Sequence, residues 1–177
     1  MKGVVNKGIG EFAIQQFGEE AWTRIKAAAG CEEPFFSTSA SYDDQSTLDL
    51  VTAACEVSGL TAAQVLEAYG RFLIPNTMRD AYPSFFAVAG KSARELLMNL
   101  DRVHQEVTKH VAGSAPPLIV CTETADGTLH IRYSGRGFCE LLKGALAGVG
   151  VMFGESLEVR EISCSTDTGC LFEVQLS

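Results

Sequence analysis

One histidine lies on the apolar face of the longest predicted helix, a position suited to binding a metal. The helix is predicted from Ser92 to about Val111, and His104 falls within a stripe of apolar residues spaced three and four apart. The stripe consists of Leu96, Leu97, Leu100, Val103, Val107 and Val111. A neutral imidazole there presents one ring nitrogen to a metal such as heme iron and leaves the other to donate a hydrogen bond. By spacing alone, a core histidine satisfied by a backbone carbonyl is the simpler interpretation.

Three cysteines in the last third of the chain form a second candidate site. Cys164 and Cys170 flank the predicted turn between the last two strands, and Cys139 begins the preceding helix. Three thiolates and a fourth group suit tetrahedral zinc. Unligated buried thiols and a redox disulfide switch are the alternatives.

The elements that must position these residues are helices in the first two thirds of the chain and mainly strands in the last third. Thr61-Ala-Ala-Gln64 and Ser92-Ala-Arg-Glu95 each fit a capping box, and Pro75 is predicted to stop the helix that begins at the first box. Helices are predicted in residues 3–29, with a break at Gly18, and in 47–57, 61–73, 92–111 and 138–153.

Strands are predicted in residues 118–121 and 129–133, joined by a hairpin at Asp126-Gly127, and in 157–162 and 171–176. The expected fold class is α+β, with a helical N-terminal lobe followed by a small antiparallel sheet and a crossing helix. We expect one domain over residues 1–177, with sub-lobes of about 1–60 and 61–177.

Composition excludes several classes of function. Fourteen basic and 22 acidic residues give a net charge of −8, and no cluster of Lys or Arg could follow a phosphate backbone, so nucleic acid is not an expected partner. Without a signal peptide or an apolar run of about 18 residues, the expectation is a cytoplasmic protein that does not insert into membranes.

Several motifs in one order resemble the heme nitric-oxide/oxygen-binding (H-NOX) family. They are Met1-Lys2-Gly3, Trp22 after a Gly-Glu-Glu junction, Asn99-Leu-Asp-Arg-Val-His104, Pro116-Pro117 and a later Tyr-Ser-x-Arg segment. The resemblance covers essentially the whole chain and implies a stand-alone bacterial member with heme b buried between the lobes. His104 would be the axial iron ligand, and Pro117 would pack against the porphyrin. Since no Cys-x-x-Cys-His motif is present, the heme would be held non-covalently.

The family binds the heme propionates through Tyr-x-Ser-x-Arg, whereas this chain reads Arg132-Tyr133-Ser134-Gly135-Arg136. One residue is missing, so Tyr133 would face away from Ser134 and Arg136 in a regular strand. A bulge absorbed by Gly135 or Gly137 would keep Tyr133 in the clamp. Arg132 could replace it, but the spacing from Pro117 favours Tyr133.

The resemblance also indicates which gas is bound. Oxygen-binding members place a tyrosine where this chain has Leu141, and Val5 and Ile9 would add further apolar walls. An apolar pocket favours an NO sensor that binds CO in vitro and forms no stable oxygen complex.

Signalling in this family implies that NO weakens or breaks the bond between iron and His104. The chain ends at Ser177 directly after the last strand, so we expect control of a separate histidine kinase or cyclic-di-GMP enzyme. No enzymatic activity is expected, because no distal His, Arg or acid is evident for proton chemistry.

Some family members also hold zinc with C-terminal cysteines, and Glu161 occupies the position of their fourth ligand. Cys121 is an alternative to Glu161. The rival hypothesis for function is therefore a zinc and thiol redox sensor in which heme is secondary.

Overall fold

The computed structural model describes residues 3–108, 117–135, 138–165 and 169–176. The helices are α1 (Gly3–Phe17), α2 (Glu19–Ala28), α3 (Asp44–Ser58), α4 (Ala62–Leu73), α5 (Arg79–Ala81), α6 (Pro83–Ala89), α7 (Ala93–Met98), α8 (Leu100–Thr108) and α9 (Cys139–Phe153). The strands are β1 (Ile119–Glu123), β2 (Leu129–Tyr133), β3 (Leu157–Ser165) and β4 (Gly169–Leu176). A helical part thus precedes a small antiparallel sheet, which confirms the predicted α+β class. Within the described ranges, no helix combines the length and apolarity needed to cross a membrane.

The helical part follows its local sequence signals closely. Gly18 separates α1 from α2 with a φ of 89°, a conformation that glycine adopts without strain. Thr61 caps α4 through the predicted box, since its hydroxyl accepts from the backbone N–H of Gln64 and the Gln64 side chain accepts from the N–H of Thr61. Both predictions are confirmed.

α4 ends at Leu73, as predicted, but Pro75 does not end the helical segment. Pro75 has no N–H to continue the α-helical ladder. The backbone instead widens into a π-helical turn at Ile74–Met78, and α5 follows directly. The side-chain amide of Asn76 donates to the carbonyl of Phe72 at 2.8 Å and satisfies an acceptor within the irregular turn.

The long helix predicted from Ser92 is two helices, which corrects a second expectation. Asn99 lies between α7 and α8 with φ −94° and ψ 4°, outside regular helical geometry. Its side-chain amide donates to the carbonyls of Ala89 at 3.2 Å and Glu95 at 2.9 Å, so it caps the end of α7. Ser92 caps the start of α7 by accepting from the N–H of Glu95, whereas the Glu95 carboxylate accepts from the N–H of Lys91.

The four strands form one antiparallel sheet in the order β1-β2-β4-β3. The predicted hairpin at Asp126-Gly127 joins β1 to β2, and Tyr133 of β2 lies opposite both Ile119 of β1 and Cys170 of β4. An irregularity between Glu161 and Ser163 shifts the register of β3 against β4. The strands begin and end within a few residues of their predicted positions.

Two hydrophobic clusters make up the described core. The helical cluster contains the buried apolar side chains of α1 to α4, from Val4 to Leu73, together with Phe36. The sheet cluster contains those of α6, α7, α9 and the strands, from Ala89 to Val174. α4 and α9 pack with their backbones close together. A Cβ added to Gly70 of α4 would lie 2.2 Å from the carbonyl oxygen of Leu141 in α9.

Candidate functional site

His104 lies in the middle of α8 and is half-buried. Its Nδ1 atom is inaccessible to solvent. Leu96 and Leu97 of the predicted stripe are buried on α7, and Leu100 is half-buried at the start of α8. The side chains of Val103 and Val107, together with Val111, His110 and Pro116, lie outside the part of the chain described by the structure.

Half-buried apolar side chains are concentrated where the helical and sheet clusters meet. The start of α9 contributes Phe138 and Leu141 to the helical cluster and Leu142 to the sheet cluster. The segment from the π-helical turn through α6 also contributes to both clusters. Met78 and Tyr82 pack against the helical cluster, and Ile74, Phe85 and Phe86 pack against the sheet cluster. This boundary therefore supplies apolar side chains from both clusters.

Val5 and Ile9 of α1 are buried in the helical cluster. The phenol of Tyr69 on α4 donates a 2.5 Å hydrogen bond to the carbonyl of Val5. Burial, with a smaller contribution from the Glu11 carboxylate, raises the pKa of Tyr69 well above its ordinary value, so this phenol stays neutral. Sequence reasoning missed Tyr69, because a buried tyrosine on an amphipathic helix has no local signature of its partner.

The segment predicted to bind propionates has its side chains on opposite faces of the sheet. Tyr133 is 8% exposed on the core face, and Arg132 is exposed on the other face beside His130. A Cβ on Gly135 would lie 2.1 Å from Cζ of Tyr133, so the tyrosine ring covers Gly135. Arg136 lies outside the described residues.

Ser134 joins the end of β2 to the residue after Pro117. Its hydroxyl accepts from the N–H of Leu118 at 2.8 Å, and its own N–H donates to the carbonyl of Leu118 at 3.0 Å. Pro117 is half-buried at this junction. The structure therefore places Pro117, Tyr133 and Ser134 in one neighbourhood.

The three C-terminal cysteines converge in space. The Sγ atom of Cys170 lies at bonding distance from the Sγ atoms of both Cys139 and Cys164, and the last two are 3.1 Å apart. One sulfur atom forms a single disulfide bond at a time, so the three thiols share one site. Cys121 instead lies 3.7 Å from the sulfur of Met98, and no carboxylate among the described residues joins the cluster.

With this geometry established, comparison with known proteins identifies the family. The profile of the family described as Haem-NO-binding matches residues 2–161. This chain belongs to the Haem-NO-binding family. The family consists of heme-based gas-sensing domains such as those of soluble guanylate cyclases.

Curated relatives in the family are much longer than this chain. Soluble guanylate cyclase gcy-32 of Caenorhabditis elegans is 31% identical over 154 residues, and gcy-34 of the same organism is 29% identical over the same length. Each alignment covers 84% of this chain and 22% of the relative, so the chain spans about a fifth of these proteins.

Solved structures confirm the H-NOX fold. An H-NOX protein from S. oneidensis in the Fe(II)NO ligation state superposes with a TM-score of 0.89 at 19% identity, covering 100% of this chain and 99% of that one. An oxygen-binding H-NOX domain related to soluble guanylate cyclases, solved as its oxygen complex, gives a TM-score of 0.86 at 21% identity, with coverages of 100% and 95%.

The described residues fit a heme group in their chemistry. They supply a half-buried imidazole, apolar side chains from two clusters, and a tyrosine and a serine beside a proline, all of which suit a non-covalent heme. Such a set combines one metal ligand with apolar walls and hydroxyl donors for carboxylates.

Proposed function

We propose that this protein is a heme-based, NO-selective sensor whose signal changes the control of a separate partner. The observation that supports the proposal most is the half-buried His104 at the centre of α8, in a chain whose Haem-NO-binding match spans residues 2–161. We propose further that residues 1–177 act as one cytoplasmic domain with two lobes, divided near residue 60. The domain itself would bind and signal without turnover.

In this proposal His104 supplies the axial nitrogen, and Tyr133, Ser134 and Arg136 hold the propionates. Pro117 would pack against the porphyrin. When bound, heme b would supply the iron that binds a diatomic gas. The burial of Tyr133 over Gly135 supports its role in the clamp over that of Arg132, which faces solvent on the other side of the sheet.

The proposed walls of the gas pocket favour NO. Val5, Ile9 and Leu141 are all aliphatic, so none of them can donate a hydrogen bond to a polar ligand. Tyr69 is near α1, but its phenol already donates to the Val5 carbonyl. Dioxygen gains more from such a donor than NO or CO does, so NO, and CO in vitro, would bind without a stable oxygen complex.

The proposed signal is a change in the position of α8. Asn99 separates α8 from α7, so the two helices are not continuous. Loss of the His104 ligand bond on NO binding would free α8 to shift relative to the sheet, and a histidine kinase or cyclic-di-GMP enzyme would respond.

Absorption spectra of the ferrous protein with and without NO test the proposal. We expect a five-coordinate, histidine-ligated spectrum that NO converts to a five-coordinate nitrosyl spectrum. His104→Ala should abolish the first spectrum, whereas His130→Ala, on the outer face of β2, should leave it unchanged. A persistent oxygen complex in air would contradict NO selectivity.

The propionate clamp has its own matched pair of variants. Arg136→Ala should lower the heme content of the purified protein, while Arg132→Ala should leave it at the wild-type level. Equal heme content in both variants would remove Arg136 from the clamp.

A second candidate function is a zinc and thiol redox sensor, favoured by the convergence of Cys139, Cys164 and Cys170. Three thiolates would provide most of a tetrahedral zinc site. Because neither Glu161 nor Cys121 lies in the cluster, a water molecule would complete the coordination. Loss of partner control in Cys164→Ala but not in His104→Ala would favour this function. Metal analysis of the reduced protein, with Cys31→Ala as control, tests zinc directly.

A further inference from the structure

A pocket unrelated to the heme residues lies on the helical part of the molecule. It is an open cleft of about 440 Å³ between the end of α2, the loop that follows and the first turns of α3. Its described lining includes the acidic residues Glu32, Glu33 and Asp49 and the aromatic residues Phe36 and Tyr42, and the Asp49 carboxylate also accepts from the side-chain amide of Gln45 at 2.9 Å. The pocket therefore combines negative charge with an aromatic surface.

The electrostatics of the pocket favour a cation. Among the described residues that line it there is no Lys or Arg, and the C-terminal end of α2, which carries a partial negative charge, borders it at Ala29 and Gly30. The positive end of α3 is offset by Asp43 and Asp44 in its cap and first turn. Residues 1–60 contain nine acidic and four basic residues, which is most of the net charge of −8 carried by the chain.

The aromatic side of the pocket is held rigidly. The rings of Phe36 and Tyr42 meet edge to face with centroids 5.1 Å apart, and Phe36 is 8% exposed. The Tyr42 hydroxyl accepts from the N–H of Ser37 at 3.0 Å. Fixed aromatic faces beside carboxylates bind ammonium and guanidinium groups through cation–π and ionic contacts together.

The neighbouring residue Phe35 is 73% exposed, although phenylalanine is usually buried. Exposed aromatic residues next to a charged pocket are typical of protein interfaces, where an aromatic anchor lies beside a specific polar contact. The pocket and Phe35 together indicate a partner protein.

We propose that this pocket is the docking site for a lysine or arginine side chain of a partner protein. The cation enters between the carboxylates of Glu32, Glu33 and Asp49, and the neighbouring apolar surface of the partner covers Phe35. This interaction does not depend on heme.

The pocket wall also contacts α1 directly. A Cβ on Gly3 would lie 1.9 Å from the carbonyl oxygen of Ser37 and 2.7 Å from the ring of Tyr42, and the N–H of Gly3 donates to the carbonyl of Ala40 at 2.9 Å. An occupant that shifts Tyr42 therefore also shifts the start of α1. The NMR signal of Gly3 should therefore shift when the pocket is occupied.

The test is an NMR titration of the full chain, labelled with ¹⁵N, with the blocked peptide acetyl-Gly-Arg-Gly-amide as probe. We expect saturable shifts at Phe36, Tyr42 and Gly3 that weaken with added salt. The corresponding glutamate and all-glycine peptides should give none. Binding should weaken about tenfold in the double variant Glu32→Gln/Glu33→Gln, since each removed charge contributes modestly.

The matched control is Glu19→Gln/Glu20→Gln, which removes two exposed charges from the other end of α2. It should retain wild-type affinity, and circular dichroism should show both double variants folded. Equal weakening in the control, shifts spread over the acidic surface, or no saturable shift would overturn the proposal. Heme content, measured on the same samples, tests the sensor function separately.

Discussion

The phenol of Tyr69 donates a 2.5 Å hydrogen bond to the backbone carbonyl of Val5, 64 positions earlier in the chain. The approach is close enough that a Cβ on Gly8 would lie 2.8 Å from the phenolic oxygen. A second contact ties the same two regions, because the Thr77 hydroxyl donates to the Glu11 carboxylate at 2.6 Å. α4 and the π-helical turn therefore fix α1, which carries Val5 and Ile9 of the proposed gas pocket.

Replacing Tyr69 with Phe removes the first of these contacts and leaves the ring in place. We expect the free energy of unfolding to fall by about 0.5–1.5 kcal/mol, the usual net contribution of one hydrogen bond. Urea unfolding measures the change. Tyr82→Phe is the control, since the half-buried Tyr82 hydroxyl has no hydrogen-bond partner among the described residues, and equal losses in both variants would contradict the prediction.

Asn6 and Thr47 form a buried polar pair between α1 and α3. The Thr47 hydroxyl donates to Oδ1 of Asn6 at 2.7 Å, while Nδ2 of Asn6 has no hydrogen-bond partner among the described residues. Thr47→Val would leave the whole buried amide unsatisfied, so we expect a loss of about 1–3 kcal/mol in the free energy of unfolding.

The double variant Asn6→Leu/Thr47→Val completes the experiment. Removal of both polar partners costs less than isolation of one, so the double variant should be more stable than Thr47→Val alone. A double variant that is no more stable than Thr47→Val alone would refute this account.

Local signals predicted the elements well and failed where distant contacts intervene. The Thr61 capping box and the Gly18 break depend on neighbouring residues, and both occur as expected. Asn99 behaves differently, because its side-chain amide reaches the carbonyl of Ala89 ten positions earlier. Sequence periodicity contains no information about such a partner.

The candidate site was predictable to the extent that it depends on strand alternation and motif order. Cys164 and Cys170 lie directly opposite each other because they flank a turn between paired strands. The ring of Tyr133 over Gly135 was not predictable, since the missing residue in the motif allowed two registers. The acidic pocket beside Phe36 depends on a loop conformation that no sequence motif marks.

The thiol of Cys121 gives a prediction for pH dependence. Burial raises its pKa from 9.0 to about 11, with Glu123 adding to the shift and Arg94 opposing it. The folded state therefore favours the neutral thiol, and the associated stability is fully present below pH 9 and lost as the pH rises through about 11. Between pH 8 and 11, the free energy of unfolding should fall less steeply in Cys121→Ala than in wild type.

Cys31→Ala removes another free, half-buried thiol and is the matched control for this experiment. It retains Cys121, so its unfolding free energy should follow the wild-type slope with pH. If Cys121→Ala and wild type lose stability in parallel, the thiol of Cys121 does not titrate in this range.

The crossing of α4 and α9 requires a glycine at position 70. A Cβ there would lie 2.2 Å from the Leu141 carbonyl oxygen and 2.7 Å from the Ala145 nitrogen, both rigid backbone atoms of α9. At an exposed helical site, Gly→Ala stabilises a protein by up to about 1 kcal/mol. Gly70→Ala should instead lower the free energy of unfolding by about 1–3 kcal/mol, because the two helices must separate. Urea unfolding gives the sign, and a stabilised variant would show that the helices can separate without loss of packing.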